Sequence, residues 1–278
     1  MSRGSTPNTS SPPLSPPSAE KRSRRPPAPS GHAAKRRADQ LLVDQGLAET
    51  RTKAQALILA GVVFAGEQRV DKAGTSLDET TQLRLAGRDH PWVSRGGLKL
   101  ARAIEHFAID PTGLTALDIG ASTGGFTDVL LAHGTAKVHA VDVGRGQLAW
   151  KLQQDPRVVV HDGTNARYLT RAQIPDPIDI VTCDASFIGL ETILPAPLAL
   201  TAETAQLVTL IKPQFEAGAG RVGKGGVVRD PAIHREVCDR VAEWIAAQPG
   251  WHVVGLTESP ITGPAGNKEF LIYARKSG

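Results

Sequence analysis

Residues 116–130, ALDIGASTGGFTDVL, place a short apolar strand before a glycine-rich turn and an amphipathic helix. Glycine has no Cβ and reaches positive φ at little cost, so such a turn brings bare backbone up to a ligand. The helix behind the turn aims its free N–H groups at the same spot. A phosphate-binding loop needs G-x-x-x-x-G-K-[ST]. Residues 120–127 supply G-x-x-x-x-G-F-T, with Phe126 where the lysine must stand. A dinucleotide fingerprint needs G-x-G-x-x-G, and the spacing of Gly120, Gly124 and Gly125 does not match it. What remains is a ligand with an adenosine but no phosphates to cradle, such as S-adenosylmethionine.

Two carboxylates extend that reading. The apolar run VHAVDVG ends near Asp142, 22 residues after Gly120. An acidic residue at about that distance suits a ribose hydroxyl pair. The run VVVHDG ends with Asp162, placed to face the exocyclic amine of an adenine. The plainer alternative is a generic α/β turn whose carboxylates only cap helices. Two further runs, IVTCDASFIG and LVTLIKPQFEAG, carry Asp184 and Lys212 at their apolar ends. A buried Asp or Lys is costly unless paired, so the two are expected to face each other. A structural ion pair would satisfy the same constraint.

The elements that must hold these residues follow from periodicity. Strands are predicted at 115–120, 137–143, 157–161, 178–184, 206–212, 252–258 and 269–275. Helices are predicted near 97–109, 124–133, 145–154, 188–203 and 230–247. This alternation implies an α/β fold, a doubly wound and mostly parallel sheet. Ligands of such sheets bind at the carboxyl ends of the strands, where Asp118, Gly120, Asp142, Asp162 and Asp184 fall.

Ahead of this domain the composition changes twice. Residues 1–38 hold eight Lys and Arg against one acid, within a chain of 278 residues and net charge +4. A basic arm of this kind suits a polyanionic partner. Residues 1–34 are expected to be a disordered Pro/Ser/basic tail. From Lys35, helical spacing at Leu41, Leu42 and Leu47 recurs at Ala54, Leu57 and Ile58, with Gly46 and Gly61 as helix ends and Thr50 as an N-cap. VVFAGEQRV then reads as two short strands around a turn. A small domain is therefore expected over 35–86, a joint over 87–93 with Trp92 packed in it, and the larger domain over 94–278.

The two cysteines, Cys183 and Cys238, have no metal-ligand spacing, and no metal is expected. No run of about 18 apolar residues and no apolar signal core occur, so a cytoplasmic protein without membrane contact is expected.

The segment with Lys35-Arg36-Arg37, Asp39, Gly46-Leu47, Thr50-Arg51, Ala54, Leu57-Ile58, Gly61-Val62-Val63, Gly66, Val70 and Lys72 resembles the S4 RNA-binding domain. That resemblance implies RNA contacts from Lys35, Arg36, Arg37, Arg51, Lys53 and Lys72. Over about residues 35–276, the stretches WVSRGGLKL, LDIGASTGGFTDVLL, VDVGRGQL, CDASFI, LIKPQFEAG, GKGGVVRD and SPITGPAGNKEFL resemble the TlyA family of ribosomal RNA 2′-O-methyltransferases, also labelled haemolysin A. The catalytic half is similar to the FtsJ-like ribose methyltransferases and their Lys-Asp-Lys-Glu tetrad.

The resemblance implies a Rossmann-like methyltransferase sheet and S-adenosylmethionine as cofactor. It implies methylation of a cytidine ribose in 16S or 23S ribosomal RNA, or both. The tetrad maps onto Lys99, Asp184, Lys212 and Glu269. The cofactor set is Asp118, Gly120, Ser122, Thr123, Gly124, Gly125, Phe126, Asp142, Asp162 and Asp184. Lys212 is either the base or a donor that orients the oxygen. The alternatives are a non-catalytic RNA-binding ribosome-assembly protein and a pore-forming haemolysin.

Overall fold

The computed structural model describes residues 35–66, 68–85 and 90–278. The expected tail (1–34), Glu67 of the hairpin turn, Ala86 at the end of the expected small domain and residues 87–89 of the expected joint lie outside the described residues. The N-terminal unit runs β1 (Lys35–Arg37), α1 (Ala38–Asp44), α2 (Arg51–Leu59), β2 (Val63–Ala65), β3 (Gln68–Arg69), β4 (Ser76–Asp78) and β5 (Leu83–Leu85). β1 pairs antiparallel with β4, and β2 lies between β3 and β5. The Thr50 hydroxyl caps α2 by accepting from the Lys53 N–H at 3.2 Å. Leu41, Leu42, Ala54, Ile58, Val63, Val70 and Leu83 form one small core. β1, β4 and β5 escaped the sequence reading. They are three residues each and mostly exposed, so they carry no alternation to detect.

The unit is pinned by Asp39, which is fully buried. Its carboxylate accepts from Arg37, Arg51 and Gln55, all within 3.0 Å. The hydrogen bonds from Arg37 lead the forces that hold this carboxyl well below the usual range, against the upward push of burial.

The larger domain contains α3 (Gly96–Phe107), β6 (Thr115–Ile119), α4 (Gly125–Ala132), β7 (Lys137–Asp142), α5 (Trp150–Gln153), β8 (Val158–Asp162), β9 (Ile178–Cys183), α6 (Leu190–Ile193), α7 (Pro195–Ala199), β10 (Thr201–Ile211), α8 (Pro213–Glu216), α9 (Pro231–Ala246), β11 (Trp251–Glu258) and β12 (Phe270–Lys276). One seven-stranded sheet has the order β11-β12-β10-β9-β6-β7-β8. Both pairings of β12 are antiparallel; the rest of the sheet is parallel. α6, α7 and α9 bury one apolar face, and α3 and α4 the other. Trp92 packs against the second layer, where it closes over Gly97.

Two predicted helices are corrected. Residues 145–154 form a single turn, α5, because the preceding loop is held by the strand-end acids. The Gly144 N–H donates to Asp142 at 2.7 Å, and the Gly146 N–H to Asp162 at 2.7 Å. Gly146 also sits at φ 62, outside a right-handed helix. Residues 188–203 break into α6 and α7 at Pro195, which lacks an N–H to continue the ladder. β10 then begins at Thr201, five residues before the predicted strand, because β9 and β12 pair with it on both sides.

Asp39→Asn is expected to destabilise the small domain by about 2 kcal/mol, since buried hydrogen bonds to charged groups are each worth roughly 1.5–3 kcal/mol. Because the native carboxyl titrates below its unfolded value, its contribution is present at neutral pH and fades below about pH 4. Amide exchange across α1 and α2 at pH 7 would show the loss; unchanged protection would contradict it.

Candidate active site

The site is built where strand ends meet. Asp184 directly follows β9 and Lys212 directly follows β10. β12 runs opposite to β10, with Phe270 beside Ile211, so Glu269, which leads into β12, arrives at the same rim. Lys99 enters from the first turn of α3. Lys99 Nζ lies 2.8 Å from Glu269 Oε2 and 3.2 Å from Asp184 Oδ2. Lys212 Nζ lies 2.7 Å from Asp184 Oδ1. The four residues thus form an unbroken chain, Glu269–Lys99–Asp184–Lys212.

Electrostatics keeps the middle of this chain ionised. Burial pulls the Lys99 ammonium down, but Asp184 and Glu269 outweigh it and raise its pKa above the ordinary lysine value. Burial pushes Asp184 up, but Lys212 and Lys99 hold it below the usual carboxylate range. Lys212 also donates to the Asp184 carbonyl at 3.0 Å and to Ser186 Oγ at 2.9 Å. Glu269 Oε1 is buried with no hydrogen-bond partner among the described residues. Gly263 leaves room for this carboxylate, which a Cβ there would push aside.

Two cavities meet at this rim. One, about 620 Å³, is lined by all four tetrad residues, by Thr123, Gly125 and Phe126, and by Arg95, Arg69 and Lys72. The other, about 480 Å³, is lined by Asp142, Val143, Gln147, Asn165, Arg167 and Phe187 among others. Gly120, Ser122, Asp184 and Ser186 stand in the walls of both. Gly120 sits at φ 75, and a Cβ there would lie 3.0 Å from the Ala185 backbone, so glycine lets the turn pass over the end of β9.

The expected cofactor residues divide into walls and supports. Asp142 lines the smaller cavity and accepts from the Ser122 N–H at 2.8 Å. Gly124 sits at φ 96 as the N-cap of α4, packed against Leu148 and Leu152. Asp118 lies beneath the turn and not in a cavity wall. It is 1% exposed, and accepts from the Thr127 hydroxyl at 2.6 Å and the Thr182 hydroxyl at 3.0 Å. Asp162 also stands back from the wall, its carboxylate taken by the Gly146 N–H, while Thr164 and Asn165 occupy the wall.

Of the expected RNA contacts, Lys72 lines the larger cavity and Lys35 is exposed. Arg36 pairs with Asp44 and Glu79, Arg37 and Arg51 with Asp39, and Lys53 with Glu49. The reading missed Arg69, Arg95, Ser186 and Phe187. Ser186 and Phe187 adjoin Asp184 in the CDASF run, which was a usable signal; Arg69 reaches the site through the tertiary fold alone.

Residues 92–276 match the FtsJ-like methyltransferase family, and residues 36–83 match the S4 domain. The chain belongs to the FtsJ-like methyltransferase family. A Mycobacterium tuberculosis relative named 16S/23S rRNA (cytidine-2'-O)-methyltransferase TlyA is 48% identical over 87% of this chain and 91% of its own. Hemolysin A of Brachyspira hyodysenteriae is 40% identical over 85% of this chain and 98% of its own. A solved structure from Streptococcus thermophilus, whose name also carries the word hemolysin, is 43% identical with a TM-score of 0.69, covering 88% of this chain and 90% of that one. Among the described residues no helix is long and apolar enough to cross a membrane, and no group of three or more His, Cys, Asp or Glu could hold a metal.

Burial pushes Asp118 up to about 6, with the two threonine hydroxyls pulling it back down. The folded state therefore holds this proton more tightly than the unfolded chain. Stability falls as the pH rises from about 4 to 6, and the full penalty, about 3 kcal/mol, persists above that. Asparagine can still accept from Thr182 but carries no titrating proton. Asp118→Asn is expected to lose less stability than wild type between pH 4.5 and 7.5. Urea unfolding at both values checks this; parallel losses in the two proteins would contradict it.

Proposed function

We propose that the protein transfers a methyl group from S-adenosylmethionine to the 2′-hydroxyl of a cytidine in ribosomal RNA, of one subunit or both, in the cytoplasm. The observation that carries this reading is the junction. Two cavities share a wall at Gly120, Ser122, Asp184 and Ser186, and Lys212 reaches into that wall. The smaller cavity suits the adenosine of a methyl donor, and the larger, where Thr123, Gly125 and Phe126 of the glycine turn face the tetrad, suits the donor's methyl end and a nucleotide.

The smaller cavity fits the cofactor's chemistry. Asp142 closes a strand as a ribose-binding acid would, Val143 and Phe187 offer apolar surface to an adenine, and Gln147 and Asn165 offer amides. S-adenosylmethionine would bring a methyl group already activated on a sulfonium. The chain's own task is to place the oxygen and manage its proton. Positioning alone is worth several kcal/mol, and general-base help about 10²–10⁴-fold. Lys212 is proposed to orient the oxygen or take its proton. Asp184 aims Lys212, and Lys99 ties Asp184 to Glu269.

The larger cavity fits RNA. Lys72 and Arg69 of the S4 domain share its wall with Arg95 of the methyltransferase domain, Arg69 being paired with Asp71 in the same wall. Cations at that place suit the phosphates flanking a ribose, which position a substrate without reading its sequence. RNA docked on the S4 domain would thereby present its ribose to the tetrad.

Lys212→Ala is expected to reduce methyl transfer to ribosomal RNA by at least about 100-fold, while S-adenosylmethionine affinity stays near wild type. Radiolabel transfer and calorimetric titration measure the two. Transfer at the wild-type rate would remove Lys212 from the proposed mechanism.

A further inference from the structure

The hydrogen bonds around Lys212 are of two chemical kinds. Its Nζ lies within reach of three acceptors: Asp184 Oδ1 at 2.7 Å, the Asp184 carbonyl at 3.0 Å and Ser186 Oγ at 2.9 Å. A carboxylate held ionised and a carbonyl can only accept, whereas a hydroxyl can accept or donate. A lysine ammonium has three N–H groups and satisfies all three partners. A neutral lysine amine has two N–H groups and a lone pair, and the lone pair must face one of the same three partners. Facing either Asp184 oxygen would set two lone pairs against each other. Facing Ser186 is favourable, because the hydroxyl turns and donates.

The lone pair of a neutral Lys212 is therefore directed at Ser186. Ser186 is exposed and stands in the walls of both cavities.

We propose that Ser186 is a further catalytic residue, whose hydroxyl carries the proton from the acceptor ribose to Lys212. This rests on the methyl-transfer reading above. As the 2′-oxygen bonds to the methyl carbon, the carbon–sulfur bond breaks and sulfur keeps its electron pair. The ribose proton passes to Ser186 Oγ, while the proton of Ser186 passes to the Lys212 amine. Serine ends as it began, and Lys212 ends as an ammonium that again donates to Ser186 and gives its proton up to solvent through the larger cavity before the next turnover. The relay uses the one hydroxyl among the three partners of Lys212.

The test uses the full-length protein with ribosomal subunits and labelled S-adenosylmethionine. Ser186→Ala is expected to lower kcat by about 100-fold, the low end of a general-base contribution, with the KM for RNA little changed. Calorimetric S-adenosylmethionine affinity near wild type shows that the variant is folded. Ser186→Thr, which keeps a hydroxyl, is expected to recover most of the rate. A plot of rate against deuterium oxide fraction is expected to be bowed for wild type, with two protons in flight, and straight for Ser186→Ala. An alanine variant with wild-type kcat, or a folded threonine variant as slow as alanine, overturns the relay. A wild-type protein that transfers no methyl to any ribosomal subunit overturns the reading on which the relay rests.

Discussion

Two ammonium groups and two carboxylates meet at one rim of the sheet, where Lys99, Lys212 and Glu269 are nearly withdrawn from water and Asp184 is only partly exposed. Such charges persist only when each is compensated, since removing one partner of a buried pair leaves a strongly unfavourable charge behind. The chain Glu269–Lys99–Asp184–Lys212 meets that demand by alternating sign. It also dictates architecture. Had β12 run parallel to β10, the residue leading into it would have fallen at the opposite edge of the sheet. The single reversed strand is what brings a fourth charge to the strand ends and closes the chain.

The donor side depends on the same rim by a different route. The glycine turn passes over the end of β9 because Gly120 has no Cβ to strike Ala185. Beneath it, Asp118 joins Thr127 of α4 to Thr182 of β9. The turn that would hold the methyl donor and the strand that carries Asp184 are thus one hydrogen-bonded unit. A junction whose two sides are fixed to each other by buried polar groups can hold donor and acceptor at a constant distance, as in-line transfer requires.

Much of this was legible in the chain. All seven strands of the larger sheet were predicted: the central parallel strands β6, β7 and β9 read as apolar runs because both faces are buried, and the edge strand β11 reads as an alternation. The pairing of Asp184 with Lys212 followed from the penalty of burying either alone. The helices at 145–154 and 188–203 were misread because local propensity competed with features it does not encode: two strand-end acids that hold a loop, and a strand completed by pairing on both sides. Asp118 stood among the expected cofactor residues because it falls at a strand end, and its carboxylate accepts from two threonine hydroxyls beneath the glycine turn. Of the six expected RNA contacts, Arg36, Arg37, Arg51 and Lys53 are tied to nearby acids, as Arg37 and Arg51 are to Asp39. Sequence spacing ranks such residues by charge, whereas the fold ranks them by what already holds them.

The central claim is that the junction delivers a methyl group to a ribose oxygen of RNA. Nucleoside mass spectrometry of ribosomal RNA treated with the protein and deuteriomethyl S-adenosylmethionine tests it most directly. The account predicts label in 2′-O-methylcytidine, lost as a mass shift when the base is cleaved from its sugar and the base alone is weighed. Label that stays with the free base, or no label in RNA at all, would contradict it.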